Sequence, residues 1–159
     1  MIYVLILLIC FLAILLQGAL LPGSIIYYFH PDYVLILVSF CGLHLQRGKG
    51  LILAFLLGFI ADVHSGSPYG LNILFMILIF LTLNRVQSKI FIKGILIPTF
   101  FVAILSLLKG PSFFIIMKLL YNSFDLNKGL VFHWLQESIS TTLISPLIFI
   151  IIYRIHDTV

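Results

Sequence analysis

The sequence predicts an all-α membrane protein, a polytopic bundle of about six transmembrane helices, with five helices plus interfacial segments as the alternative count. Two observations predict it. Apolar residues make up 62% of the 159 residues and charged residues only 9%, with a mean hydropathy of +1.25. A soluble domain is about half apolar and a quarter charged, and has no interior large enough to hide this much hydrocarbon. The apolar residues also fall in long runs, and the basic residues lie in the short connections between them. That is the arrangement of membrane spans under the positive-inside rule. The first partner is therefore membrane lipid; the net charge of +4 is spread among the connections and does not point to nucleic acid. The length fits one integral-membrane domain over residues 1–159.

Residues 2–21 are broken only by Gln17 and Gly18 and can cross a bilayer. With no basic stretch before them and no small-residue cleavage site after, they read as a retained first span. A Tyr-rich connection at 25–29 is expected at the interface. Pro31 opens a second span reaching about Gln46, and Arg47-Gly48-Lys49-Gly50 reads as a basic turn into a third span at about 50–63. The fourth covers about 68–84, the fifth about 90–108 and the last about 130–153. Residues 111–124 carry Lys118 in a run too short to span, and read as an amphipathic helix lying in the interface. With both termini inside, the inner connections hold Arg47, Lys49, Arg85, Lys89, Lys93 and Arg154, against Lys109, Lys118 and Lys128 outside. That asymmetry sets the predicted orientation and turns Asp62 to the outer face.

The third span carries the most informative pattern. Gly50, Ala54, Gly58 and Asp62 recur every fourth residue and so share one face of a helix. In lipid, small residues in such a row let a second backbone approach closely. Packing within the chain is the expected use of this face. Asp62 has two compatible readings: an acid facing a partner, or a carboxylate accepting local backbone N–H bonds at the start of the next helix. The turn Ser65-Gly66-Ser67-Pro68-Tyr69-Gly70 reads as helix stop and helix start, with Gly66 at a left-handed position, Ser67 as N-cap and Pro68 at the first helical position.

In the last span His133, Glu137, Ser140 and Thr141 form a polar stripe at helical spacing. An ionisable group inside a membrane raises the question of a proton or ion path; a protonated Glu137 hydrogen-bonded inward is the other reading. A proton-coupled carrier would need a second buried charged partner, and the sequence nominates none. Pro146 leaves the carbonyl of Thr142 without its helical donor. Cys10 and Cys41 lie in apolar runs and read as unpaired core residues. No metal-binding His pair, nucleophile elbow, phosphate loop or paired-carboxylate motif occurs, so neither a catalytic site, a cofactor nor a metal is predicted.

Pro31-Asp32 before the second span, the short hairpin, and then GFIADVHSGSPYGLNILFM resemble the rod shape-determining protein MreD family. The matching positions are Gly58, Asp62, Ser65, Gly66, Pro68, Gly70 and Leu71. The stretch 138–147, ending in Pro146-Leu147, is similar to that family's last helix. The resemblance implies a non-enzymatic inner-membrane subunit of the rod (elongation) complex, which couples the actin-like MreB filament to peptidoglycan synthesis. The implied partners are MreC, the RodA polymerase and its class B penicillin-binding partner, with MreB reached indirectly. The rival is the substrate-binding S component of energy-coupling-factor importers, whose general architecture the family resembles. S components carry small residues four apart on their first helix; here Ala13 is followed by Gln17, which argues against the transporter.

Overall fold

The structure, a computed structural model, describes residues 30–65, 70–88, 94–120 and 128–157. The predicted first span, the connection at 25–29, Cys10 and the turn residues Gly66, Ser67 and Pro68 lie outside the described residues. These comprise five helices: α1 (Tyr33–His44), α2 (Arg47–Ser65), α3 (Leu71–Gln87), α4 (Leu96–Leu120) and α5 (Lys128–Asp157).

The helix α1 is the centre of the bundle. Its residues 34–43 are all buried, as expected of a helix that is apolar on every side, and α2, α3, α4 and α5 all pack against it. Asp32 caps its start, Oδ1 accepting from the Leu35 N–H at 2.9 Å. With 12 residues it is about 18 Å long, well short of the roughly 30 Å of hydrocarbon in a bilayer. Among the described residues only α4 and α5 are long and apolar enough to cross a membrane. The expectation of about six full spans is corrected accordingly: α1 and α3 are shorter apolar helices.

The polarity of the bundle is inverted relative to a soluble protein. Ile52, Phe55, Phe59 and Val63 line the outside of α2, and Phe132, Ile139, Leu143 and Leu147 the outside of α5. Buried among the helices are Asp62, Asn72, Ser106, Ser138, Thr141 and Ser145. Large apolar side chains out and polar groups in is the arrangement that suits a lipid solvent, where each polar group needs an internal partner.

Two boundaries differ from the sequence reading. Arg47 to Gly50 is not a turn but the first turn of α2, with the Gly50 N–H bonded to the Gln46 carbonyl at 2.9 Å. Arg47 Nε donates to Asn84 Oδ1 (3.1 Å) and Asn84 Nδ2 to the Leu45 carbonyl (3.2 Å), tying the connection to the far end of α3. The break predicted near Gly110-Pro111 is also absent, and α4 runs unbroken through Pro111 to Leu120. The separate interfacial helix at 111–124 is therefore a continuation of α4 as far as Leu120; residues 121–124 lie outside the described residues. Side chains bond to carbonyls in the turn that precedes the proline. Ser112 Oγ donates to the Leu108 carbonyl at 2.8 Å, and the Ser106 carbonyl accepts from Trp134 Nε1 and Ser138 Oγ, each at 3.2 Å. Such side-chain bonds beside a proline add support to a membrane helix that carries one. Pro146 in α5 is treated alike: the orphaned Thr142 carbonyl accepts from Ser145 Oγ at 3.0 Å.

The helices α2 and α3 meet along the small-residue row. A methyl group on Gly58 would stand 2.7 Å from the Ile73 Cα and 3.2 Å from the Asn72 carbonyl oxygen, both backbone atoms that cannot step aside. A methyl on Gly50 would enter the ring of Phe80, and Ala54 between them is fully buried. Gly48, on the same helix, has open space around it. We therefore expect Gly58→Val to cost about 1–3 kcal/mol of stability or more, while Gly48→Ala is neutral or gains up to about 1 kcal/mol from helix propensity. Thermal unfolding of the purified protein in detergent reads both.

Candidate functional site

Two polar clusters lie at the same end of the bundle. The first is built by Asp62, which is only 2% exposed and turned into the start of α3. Its Oδ2 accepts from the backbone N–H of Gly70 (2.9 Å) and Ile73 (3.2 Å), and its Oδ1 from that of Asn72 (3.0 Å). A helix start leaves such N–H groups without partners and carries partial positive charge. A carboxylate from the preceding helix answers both needs. Asn72 Nδ2 donates to Ser65 Oγ at 2.9 Å and closes the turn across its base. The helix begins at Leu71, after the predicted N-cap Ser67 and Pro68, and Gly70 occupies the cap position with φ +97°, a left-handed conformation that favours glycine. The acid is thus buried against the start of α3, with both carboxylate oxygens engaged by backbone N–H groups.

The second cluster joins three helices. Lys109 of α4 forms an ion pair with Asp32 Oδ2 at the start of α1 and lies 3.5 Å from Glu137 Oε1 of α5. Thr141, one turn beyond Glu137, accepts from the Asp32 N–H at 2.9 Å and donates to the Glu137 carbonyl at 2.7 Å. The imidazoles of His30 and His133 stand 5.5 Å apart, centroid to centroid. Burial first, and then the neighbouring His133, hold His30 below its ordinary value, so its ring stays uncharged near neutrality.

Between the clusters lies a chamber with two lobes that share Asp32, Ser65, Asn72, Lys109, His133 and Glu137 as walls. The first lobe, about 390 Å³, extends over Ala61 and Met76. The second, about 310 Å³, is walled by Phe113, Phe114, Leu130 and Trp134. Trp134 is pinned by its bond to the Ser106 carbonyl and stands edge-on to Phe114 at 6.3 Å. Gly110 makes this possible, because any side chain there would occupy the indole's place.

Of the predicted stripe, His133 and Glu137 line the chamber, Thr141 buttresses Asp32, and Ser140 is buried away from the chamber walls. The Gly50–Ala54–Gly58 row lies against α3 and takes no part. Sequence reasoning missed Asp32, Lys109 and Trp134. The sequence places Lys109 in an outer loop because the fifth span ends at about 108 and a separate helix begins at 111; once α4 runs through, Lys109 becomes the half-buried charged partner that Glu137 lacked. The available signal was a lysine and an acid in two successive apolar helices, each needing a counter-charge.

Apolar exterior, paired charges within and two helices of spanning length define an all-helical membrane protein with a polar chamber at one end. The sequence model of the family described as rod shape-determining protein MreD matches residues 1–155, and the chain belongs to that family. Searches of curated proteins and of solved structures return no match. Among the described residues no group of three His, Cys, Asp or Glu side chains is placed to hold a metal ion.

Replacing Asp62 with Asn keeps the shape but turns an amide donor toward backbone donors. Leaving at least one buried N–H unpaired is expected to cost about 1–3 kcal/mol. Denaturant unfolding in mixed micelles measures it, and Ser65→Ala, which removes the neutral bond from Asn72, is expected to cost less, about 1 kcal/mol.

Proposed function

We propose that the chain is a non-catalytic scaffold subunit of the bacterial rod complex, holding an MreC-like protein and, with it, RodA and a class B penicillin-binding protein. MreB is coupled indirectly. The observation that carries the reading is the family match across residues 1–155, which assigns the chain a role in rod-shape determination. A scaffold needs rigid surfaces more than moving parts. The backbone-close contact of α2 with α3 and the carboxylate-closed turn supply such rigidity.

The proposed location is the cytoplasmic membrane, with several passes and both termini inside. The basic residues support this orientation more strongly than the sequence count alone. Lys109 lies within α4, paired with Asp32, and leaves the outer tally, so Lys118 and Lys128 stand against six inner Lys and Arg. On this topology the Asp62 turn and the chamber lie at the outer end, where a periplasmic partner would meet them.

Depletion of the chain from a rod-shaped host is expected to round the cells, and the tagged chain is expected to bring an MreC-like protein out of solubilised membranes. Rods that persist after depletion, together with a pull-down lacking any MreC-like protein, would remove the basis of the proposal.

A further inference from the structure

The chamber holds one more acid than its lysine can neutralise. Asp32 is fully engaged, Oδ1 on the Leu35 N–H and Oδ2 on Lys109. Glu137 has one ion-pair contact, at 3.5 Å with the same ammonium, and the His133 imidazole as a further electrostatic neighbour; its Oε2 makes no hydrogen bond among the described residues, and its side chain is 38% exposed on the chamber wall. A carboxylate at membrane depth calls for a counter-cation. Beside it stand Trp134, Phe113 and Phe114, the aromatic faces that attract organic cations. A second lobe of about 310 Å³ is at the small end of cavities that take small molecules, roughly 300–1,000 Å³.

We infer that this lobe is a binding site for a primary ammonium group on a short apolar stem, with Glu137 Oε2 accepting from the ammonium and the Trp134–Phe114 corner packing against the stem. The charge excludes the opposite ligand class, since an anion would face two carboxylates with the one nearby lysine already bonded to Asp32. A metal ion is a poor fit, as no third ligand is placed for it among the described residues. Two sources carry the ligand's chemistry: the headgroup of an aminophospholipid entering from the bilayer, or a water-soluble amine entering from the outer face.

Trp134 is the single tryptophan of the chain, so its fluorescence reports on the lobe alone. The full chain is reconstituted in nanodiscs of phosphatidylcholine and phosphatidylglycerol and titrated at neutral pH with n-butylamine, and separately with n-butanol. The amine is expected to give a saturable change and the alcohol none, with binding of the amine weakened about tenfold or more by Glu137→Gln. Adding phosphatidylethanolamine to the discs separates the sources. A shifted signal with competition against butylamine identifies the lipid headgroup, and an unaltered titration identifies a soluble amine. Equal responses to amine and alcohol, no response to either amine or phosphatidylethanolamine, or full binding by Glu137→Gln would overturn the assignment. Should that variant fail to reconstitute, the contrast between amine and alcohol in the unmodified chain decides.

Discussion

The ion pair between Lys109 and Asp32 is the contact on which the described architecture depends. It joins the midpoint of α4 to the first turn of α1, and Thr141 brings the midpoint of α5 to the same spot. In lipid an unpaired ammonium is costly, so α4 has few ways to place Lys109 other than against an acid. Asp32 adds a second constraint by capping α1 with its other oxygen. One carboxylate thereby sets where α1 begins and which neighbours it has. At the far end of α1 the Tyr153 hydroxyl, bonded to His44 Nε2 at 2.8 Å, fixes the register against α5. His44 Nδ1 lies 3.1 Å from the Phe40 carbonyl, an acceptor that assigns the proton to Nδ1 and leaves Nε2 to accept from the tyrosine.

The short central helix has a consequence for function. Since α1 starts level with the midpoints of helices about 37 and 45 Å long, the space beyond its first residue is bounded by side chains from the other four helices. That space is the chamber. The Asp62 turn supplies one side of it through Ser65 and Asn72, and the α4–α5 pair supplies the other. The two clusters thus share a cavity although they are built by different means, one from backbone donors and the other from ion pairing.

Local features of this arrangement were legible in the sequence, and distant ones were not. Gly50, Ala54 and Gly58 could be placed on one face because a helix repeats at a spacing visible in the chain. The use of Asp62 as an acceptor for the next helix could be anticipated because donor and acceptor lie within eleven residues. The start of α3 was read too early, since Ser67-Pro68 is a strong local start signal and Asp62 acts as cap from a helix away. Lys109 and Asp32 are 77 residues apart, and no periodicity links them. Pro111 misled for a related reason. A proline often marks a helix end, but here Ser112 within α4 and Trp134 and Ser138 from α5 bond to carbonyls of the preceding turn, and no local pattern in the sequence announces the two α5 partners.

The most direct test of the account is a thermodynamic cycle on Asp32→Asn and Lys109→Met in the full chain, unfolded in mixed micelles. Asparagine retains the ability to cap α1, so the cycle isolates the ion pair. Lys109→Met is predicted to cost about 3–5 kcal/mol by stranding Asp32, and Asp32→Asn less, because Glu137 remains 3.5 Å from the ammonium. The double change is predicted to recover a large part of that loss, giving a coupling energy of about 1.5 kcal/mol or more. Losses that simply add, with no coupling between the two positions, would contradict the claim that this pair holds α1 to its neighbours.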